Sequence, residues 1–341
     1  MKTIYITGIG GLVGSAVAEH ALGRGYHVRG TESDARGRWF GLGGSVAWRV
    51  LELEAQGVEV LRRDFRTNLE EVKGASVVVH CASQPSHDLS REQPVDDSAL
   101  NFMGTVELLE ATRKYASDAA FVFLSTNKVY GDRINHLRYR RVGDRYEPEA
   151  GEKGVTPWFG INEEMSLDAS LHTPFGASKA AADLMVQEYR HCYGLKTVSL
   201  RCGCLTGPTG SAVELHGFLG YLVKCATSGL PYTVYGYDGL QVRDNLAADD
   251  LAEAILGYAE DPKGGVYNMG GGRSNSISIL EAVKYLRKRG FHFETKDGPE
   301  RLGDHRWYIT DLRKFQADYP AWRPATNVYR TMDAIAERIA A

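Results

Sequence analysis

Three glycines near the start of the chain set the fold before anything else does. Gly8, Gly11 and Gly14 have the spacing G-x-x-G-x-x-G. A short β-branched run, Ile4 to Thr7, precedes them, and a helical pattern, Gly14 to Arg24, follows. In such a strand–turn–helix the first glycine permits a tight turn and the second lets main chain approach a pyrophosphate. The third lets the helix pack on the strand. Free N–H groups at the helix start, with the helix dipole behind them, favour an anion. The segment therefore predicts a dinucleotide site with Gly8, Gly11, Leu12 and Val13 at its phosphates. Glu32, ending the second strand, is placed to accept hydrogen bonds from the adenosine ribose, which favours NAD over NADP. Arg36 and Arg38 are the nearby residues that could hold a 2′-phosphate instead. Asp64 and Phe65 follow the third strand, either as an adenine contact or as a plain surface turn.

The pattern continues as alternating strands and helices. Tyr26–Thr31, Val58–Arg62, Ser76–His80, Ala120–Leu124 and Thr197–Cys202 read as strands, and Asn101–Lys114, Pro174–Tyr193 and Gly217–Thr227 as helices. Ser76–His80 is apolar almost throughout, as a parallel strand buried on both faces must be. The fold class expected is α/β, a doubly wound parallel sheet (Rossmann) with a smaller, interleaved C-terminal lobe. The boundaries expected are 1–203 for the dinucleotide domain and 204–341 for the substrate lobe, interleaved with the sheet around 241–270. Residues 131–171 lose the regularity, basic first and then acidic, and predict a long functional loop or small excursion.

Composition narrows the function. A net charge of −3 over 341 residues gives no polybasic field for nucleic acid or anionic membrane. The apolar stretches are strand-length, well short of a membrane span. Met1 runs straight into a strand, leaving no room for a signal peptide, so a cytoplasmic protein is expected. The five cysteines include no C-x-x-C pair, so neither a disulfide framework nor a metal site is expected.

Further segments complete a set. They are His80-Cys81-Ala82-Ser83-Gln84, Asn101-x-x-Gly104-Thr105, Ser125 to Gly131 (S-T-N-K-V-Y-G), Thr173 to Lys179 (T-P-F-G-A-S-K), Gln241 to Asp244, Tyr267 to Gly272, and Arg301-x-Gly303-Asp304. Together with the glycine loop they resemble the extended short-chain dehydrogenase/reductase superfamily, the nucleotide-sugar epimerases and dehydratases, over nearly the whole chain. The heptapeptide at 125–131 with the insertion after it is most similar to the CDP-sugar 2-epimerases. The resemblance implies NAD as cofactor and a nucleotide-diphosphate sugar, CDP-linked, as substrate. It implies a transient oxidation in which a hydride leaves the sugar and returns to the other face. Cys81, Ala82, Ser83 and Asn101 would lie at the dinucleotide. Lys179 would bond the nicotinamide ribose, and Thr126 the reacting sugar oxygen. Ser83, Asn127, Lys128 and His216 would contact the substrate, and Arg243 and Arg301 its pyrophosphate. A homodimer through Asn101–Lys114 and Pro174–Tyr193 is the family habit. Asn127-Lys128 stand where 4,6-dehydratases usually carry acidic residues, which argues against dehydration; a 4-epimerase is the other alternative.

One position departs. The family pairs a tyrosine, its proton acceptor, with a lysine four residues on, so that the ammonium stabilises the phenolate. Here Phe175 precedes Lys179, and a phenyl ring cannot act as acid or base. Three readings stay open: another group moves the proton, Phe175 was introduced to trap substrate, or the chain binds NAD without redox chemistry. Cys204 and Cys202, after the strand that follows Lys179, are candidate bases, as are His216, Tyr130, Ser83, His87 and Glu164. Lys128 becomes one only if burial lowers its pKa.

Overall fold

The computed structural model describes residues 2–214 and 216–340. Strands β1 (Thr3–Thr7), β2 (His27–Thr31), β3 (Glu59–Leu61), β4 (Val77–His80) and β5 (Ala120–Thr126) form a parallel sheet with two later strands, Lys196–Cys202 and Gly265–Met269. From one edge the order runs Gly265–Met269, Lys196–Cys202, β5, β4, β1, β2, β3. The seventh strand is contributed by the C-terminal part of the chain, so the second lobe is threaded back into the sheet.

Strand alternation assigns each side chain to a layer. Ile4 and Ile6 point to one face, with Val77, Val79, Val122 and Leu200, and helix α1 (Leu12–Gly23) covers them. Tyr5, Val78, Phe121 and Phe123 point to the other face. Helices α2 (Gly104–Tyr115) and α3 (Thr173–Tyr193) close over that side with Leu108, Leu109, Ala182, Val186 and Tyr189. Both faces are dry, as a doubly wound sheet requires. Helix α1 buries only small residues and Val17, which lets it lie close to β1. It begins two residues earlier than the periodicity suggests, because Gly11 is an extended N-cap. Helix α2 begins later, at Gly104. A π-helical turn, Ala99–Met103, precedes it, since Asn101 turns inward to bond Gln84 through both its N–H and its carbonyl.

The stretch 131–171 is folded rather than a loop. An antiparallel hairpin pairs β6 (Tyr139–Val142) with β7 (Arg145–Pro148), so the basic and acidic runs face each other across it, as Arg140 opposite Glu147. Arg145 binds Glu281 and Arg273 binds Glu147, which pins the hairpin to the second lobe. After α3, strand β8 (Lys196–Cys202) leads into β9 (Cys204–Thr206). The second lobe has its own core, where α4 (Phe218–Ser228) packs on Ile277, Val283 and the C-terminal helix α5 (Val328–Ala340). Its strand Val242–Ala247 pairs with β9 through its second half, and with Ser276–Ser278 and Trp307–Tyr308 through its first. No helix among the described residues is long and apolar enough to cross a membrane.

Candidate active site

The carboxyl ends of β1, β4, β5 and β8 open into a cleft of about 450 Å³, closed on its far side by the second lobe. One wall is main chain. Gly8 has φ +67, and a Cβ there would lie 2.9 Å from the Ala82 nitrogen. At Gly14 a Cβ would lie 2.3 Å from the Gly8 carbonyl oxygen, which explains why the helix can approach the strand only at glycine. Gly8, Gly11, Leu12, Val13 and Gly14 all line the cleft, with Cys81 and Ser83 beside them. This cradle, whose close main-chain approaches exclude a side chain at 8 or 14, fits a pyrophosphate at a helix start. Glu32 accepts from the Gly10 N–H at 3.0 Å and the Asp34 N–H at 2.9 Å, so its carboxylate is fixed against the glycine loop. Arg36 lies across the same end, donating to the Ser211 carbonyl at 2.8 Å.

The next wall is the end of β5. Thr126 caps the turn 127–130, its Oγ1 accepting from the Lys128 N–H at 3.2 Å. Helix α3 starts against that turn: a Cβ at Gly176 would come within 2.8 Å of the Lys128 carbonyl oxygen. Phe175 lines the same cleft as Lys128, with its ring edge-on to His87 at 5.2 Å between centroids. Lys179, one turn further, donates from Nζ to the Leu124 carbonyl at 2.6 Å and lies 4.1 Å from the centre of the Phe123 ring. Burial lowers its pKa to about 8, against the opposing pull of Cys202 and Asp183. Thr173, just before, has φ +58, a conformation β-branched residues rarely adopt. Its hydroxyl meets His87 Nδ1 at 2.7 Å.

The facing wall belongs to the second lobe. Arg243 is buried and forms an ion pair with Asp304, while its other arm donates to the Val242 carbonyl at 2.8 Å. Burial pushes the Asp304 pKa up, and Arg243 together with Lys128 more than offsets it, leaving it at about 2. Arg301 lies 3.5 Å over the centre of the Tyr235 ring. Lys128 crosses from the β5 side to this wall, donating from Nζ to the Gly303 carbonyl at 2.9 Å. His216 lines the mouth, where Arg36 approaches its Nδ1 at 3.3 Å.

The cleft thus brings together Thr126, Asn127, Lys128, Phe175, Lys179, Cys204, His216, Arg243 and Arg301, and the glycine loop with Cys81 and Ser83. Five expected residues do not line it. Ala82 is behind Gly8, and Glu32 touches the loop from below. Asp64 caps the turn after β3 and pairs with Arg66, and Phe65 packs on His80 at 5.1 Å. Asn101 is buried on Gln84 and Asp97 and shapes the loop after β4 from within. Among the candidate bases, Tyr130 is tied into the buried Arg201–Asp183 network through Arg201 and donates to Asn268. Burial raises the Cys204 thiol to about 11 and the Cys202 thiol to about 12, so neither is a thiolate at neutral pH. Burial, with a repulsive push from Lys128, lowers His87 to about 3. Sequence reasoning missed the Arg243–Asp304 pair and the strained Thr173. The motif Arg301-x-Gly303-Asp304 was the one available signal for the pair.

A doubly wound sheet with a glycine cradle after β1, and Thr126 and Lys179 lining the same cleft from the end of β5 and from α3, define the class as a dinucleotide-binding α/β enzyme. The chain belongs to the NAD dependent epimerase/dehydratase family, whose model matches residues 4–270, and NAD is its cofactor. It is similar to the CDP-paratose 2-epimerase of Salmonella typhi, 30% identical over 91% of each chain. A dTDP-glucose 4,6-dehydratase of Xanthomonas campestris is 28% identical over 95% of this chain and 89% of its own. Among solved structures, the UDP-glucose 4-epimerase of Thermus thermophilus in complex with NAD matches with a TM-score of 0.77, at 27% identity over 99% of both chains.

Proposed function

We propose that the chain is a nucleotide-sugar epimerase acting on a CDP-sugar at C2. The observation that carries this reading is the pair Asn127-Lys128 in the cleft, directly after Thr126. Elimination of water from a sugar needs an acid and a base at neighbouring carbons. This wall offers an amide and an amine, and the nearby Asp304 carboxylate is already bound to Arg243. The likeness to a CDP-paratose 2-epimerase supports the same choice. When bound, NAD⁺ supplies the hydride acceptor and donor for the sugar carbon. The chain's own residues do the rest. The glycine loop would hold the dinucleotide phosphates, Lys179 its nicotinamide ribose and Glu32 its adenosine ribose. Thr126 would bond the reacting sugar oxygen, and Arg243 and Arg301 would face the nucleotide pyrophosphate. Two walls that meet over the sugar exclude water from the oxidised intermediate. A homodimer through α2 and α3 belongs to the same reading, since α3 exposes Leu184 and Tyr193.

The test is incubation of the NAD-loaded protein with CDP-, UDP- and dTDP-sugars, followed by proton NMR. The expected result is a CDP-sugar epimer inverted at C2, with no net change in NAD. A 4-keto-6-deoxy product would instead assign the chain to the dehydratases.

A further inference from the structure

Phe175 leaves the proton of the sugar hydroxyl without its customary acceptor, and the cleft contains few groups that could take it. The Cys204 thiol is held high and His87 low by burial. Asp304 is engaged by Arg243. Lys179 is held by the Leu124 carbonyl on one side and the Phe123 ring on another, and the reading above assigns it to the nicotinamide ribose.

We propose that Lys128 is the catalytic acid–base of this cleft, exchanging the sugar proton through its Nζ in place of the missing tyrosine. The proposal rests on the epimerase reading above and adds the residue that makes it possible. Three geometric facts carry it. Lys128 follows Thr126 within one turn, and Thr126 Oγ1 binds the Lys128 N–H, so the two side chains rise from a single fixed piece of backbone. The Lys128 carbonyl lies against the start of α3 at Gly176, and Lys128 and Phe175 line the same cleft. Its Nζ has a neutral carbonyl, Gly303, as its hydrogen-bond partner rather than a carboxylate. That leaves nitrogen valences for a ligand in the cleft. Burial also brings the amine to about 8, with Asp304 opposing and Arg243 assisting the shift. At pH 7 about a tenth of such amines are neutral, against fewer than about one in a thousand for an ordinary lysine.

The step balances without a further reactant. The hydroxyl O–H breaks and its proton passes to the Nζ lone pair, giving an ammonium. The carbinol C–H breaks as its electron pair leaves with the hydride to the oxidised dinucleotide, and the C=O bond forms. Return of hydride and proton reverses both events on the other face of the sugar.

The variants are Lys128→Met and Lys128→Arg. Both should lower kcat about 10²–10⁴-fold, the usual worth of general acid–base catalysis. Both should leave NAD affinity unchanged. Arginine keeps the charge and cannot lose it at this pH, so it should not rescue. In the unmodified protein kcat/KM should rise with pH through about 8, and both variants should lose that limb. A readout independent of turnover is NMR of ε-¹³C-labelled lysines. The resonance absent from Lys128→Arg should titrate near 8, and it decides the matter even where Lys128→Met folds poorly. Near-normal turnover in Lys128→Met, rescue by arginine, or a titration midpoint above about 10 would each overturn the role of Lys128 alone. An unmodified protein that binds NAD yet converts no nucleotide sugar would overturn the epimerase reading, and this proposal with it.

Discussion

Two of the three walls of the cleft, the glycine loop and the facing wall of the second lobe, are built by different means. The wall proposed for the dinucleotide is shaped by main chain: Gly8 at a positive φ and Gly14 within reach of the Gly8 carbonyl. The sugar wall is shaped by charged side chains held by distant partners, as Arg243 is by Asp304 and Lys128 by Gly303. A main-chain cradle accepts one ligand geometry and tolerates little substitution. A wall of paired side chains can be retuned by exchanging a partner. The difference teaches where chemistry can drift within one fold: Phe175 lies where the two walls meet.

The largest effect that would sharpen this contrast is expected at Lys179, the side chain proposed above to hold the nicotinamide ribose. Lys179→Met should reduce turnover at least about 10²-fold by misplacing the reacting groups, and weaken NAD binding. The measurements are steady-state kinetics and calorimetry with NAD. Unchanged NAD affinity would move Lys179 to the sugar wall.

Next comes the pairing on the other wall. Arg243→Ala and Asp304→Ala should each cost about 1.5–3 kcal/mol, the range for hydrogen bonds to charged groups. The double variant should cost less than the sum, because each single change strands a charged partner. Thermal melts give the coupling. Nucleotide-sugar affinity should fall with Arg243→Ala while NAD affinity holds. Strict additivity would mean that the pair is not formed in solution.

The contrast also explains what the sequence made legible. The glycine wall could be read because backbone geometry restricts residue type locally: one glycine for a positive φ, another for a close approach. The sheet, its two dry faces and most helix limits followed from strand alternation and helical period. The 131–171 hairpin was not legible, because its charges pair across long separations with Glu281 and Arg273. The resemblance implies a place at the dinucleotide for Asn101, and Asp64 reads as either an adenine contact or a surface turn. In the structure their side chains turn to Gln84 and Arg66. The Arg243–Asp304 pair spans 61 residues, and its two motifs mark the partners without showing that they meet.

A third expectation concerns acid. His80, beneath the dinucleotide wall, is fully buried between Thr7 and Thr105, and burial followed by Lys179 lowers it to about 3. His305, behind the sugar wall, is buried and held well below its usual value, again chiefly by burial. The unfolded chain binds a proton at each histidine below about 6.5, while the folded chain does not. Stability is therefore intact above that pH and declines as pH falls from about 6.5 towards 3. Urea midpoints between pH 7 and 5 would show it. His80→Gln should flatten the slope, and an unchanged slope would mean that water reaches the imidazole.

A smaller effect is expected at Arg301. Its cation–π contact with Tyr235 is worth about 0.5–1 kcal/mol at an exposed site, so Arg301→Ala should barely move the melting temperature. Nucleotide-sugar binding should weaken and NAD binding stay constant. Loss of NAD binding instead would break the division between the walls.

The most direct test of the account is Phe175→Tyr, assayed by NMR for nucleotide-sugar epimerisation with C2-deuterated substrate reporting hydride transfer. With proton transfer assigned to the sugar wall, the restored phenol is redundant, and turnover should stay at the level of the unmodified protein. A rise of about 10²–10⁴-fold, the worth of a missing general base, would contradict it and show that the cleft as it stands lacks its acid–base.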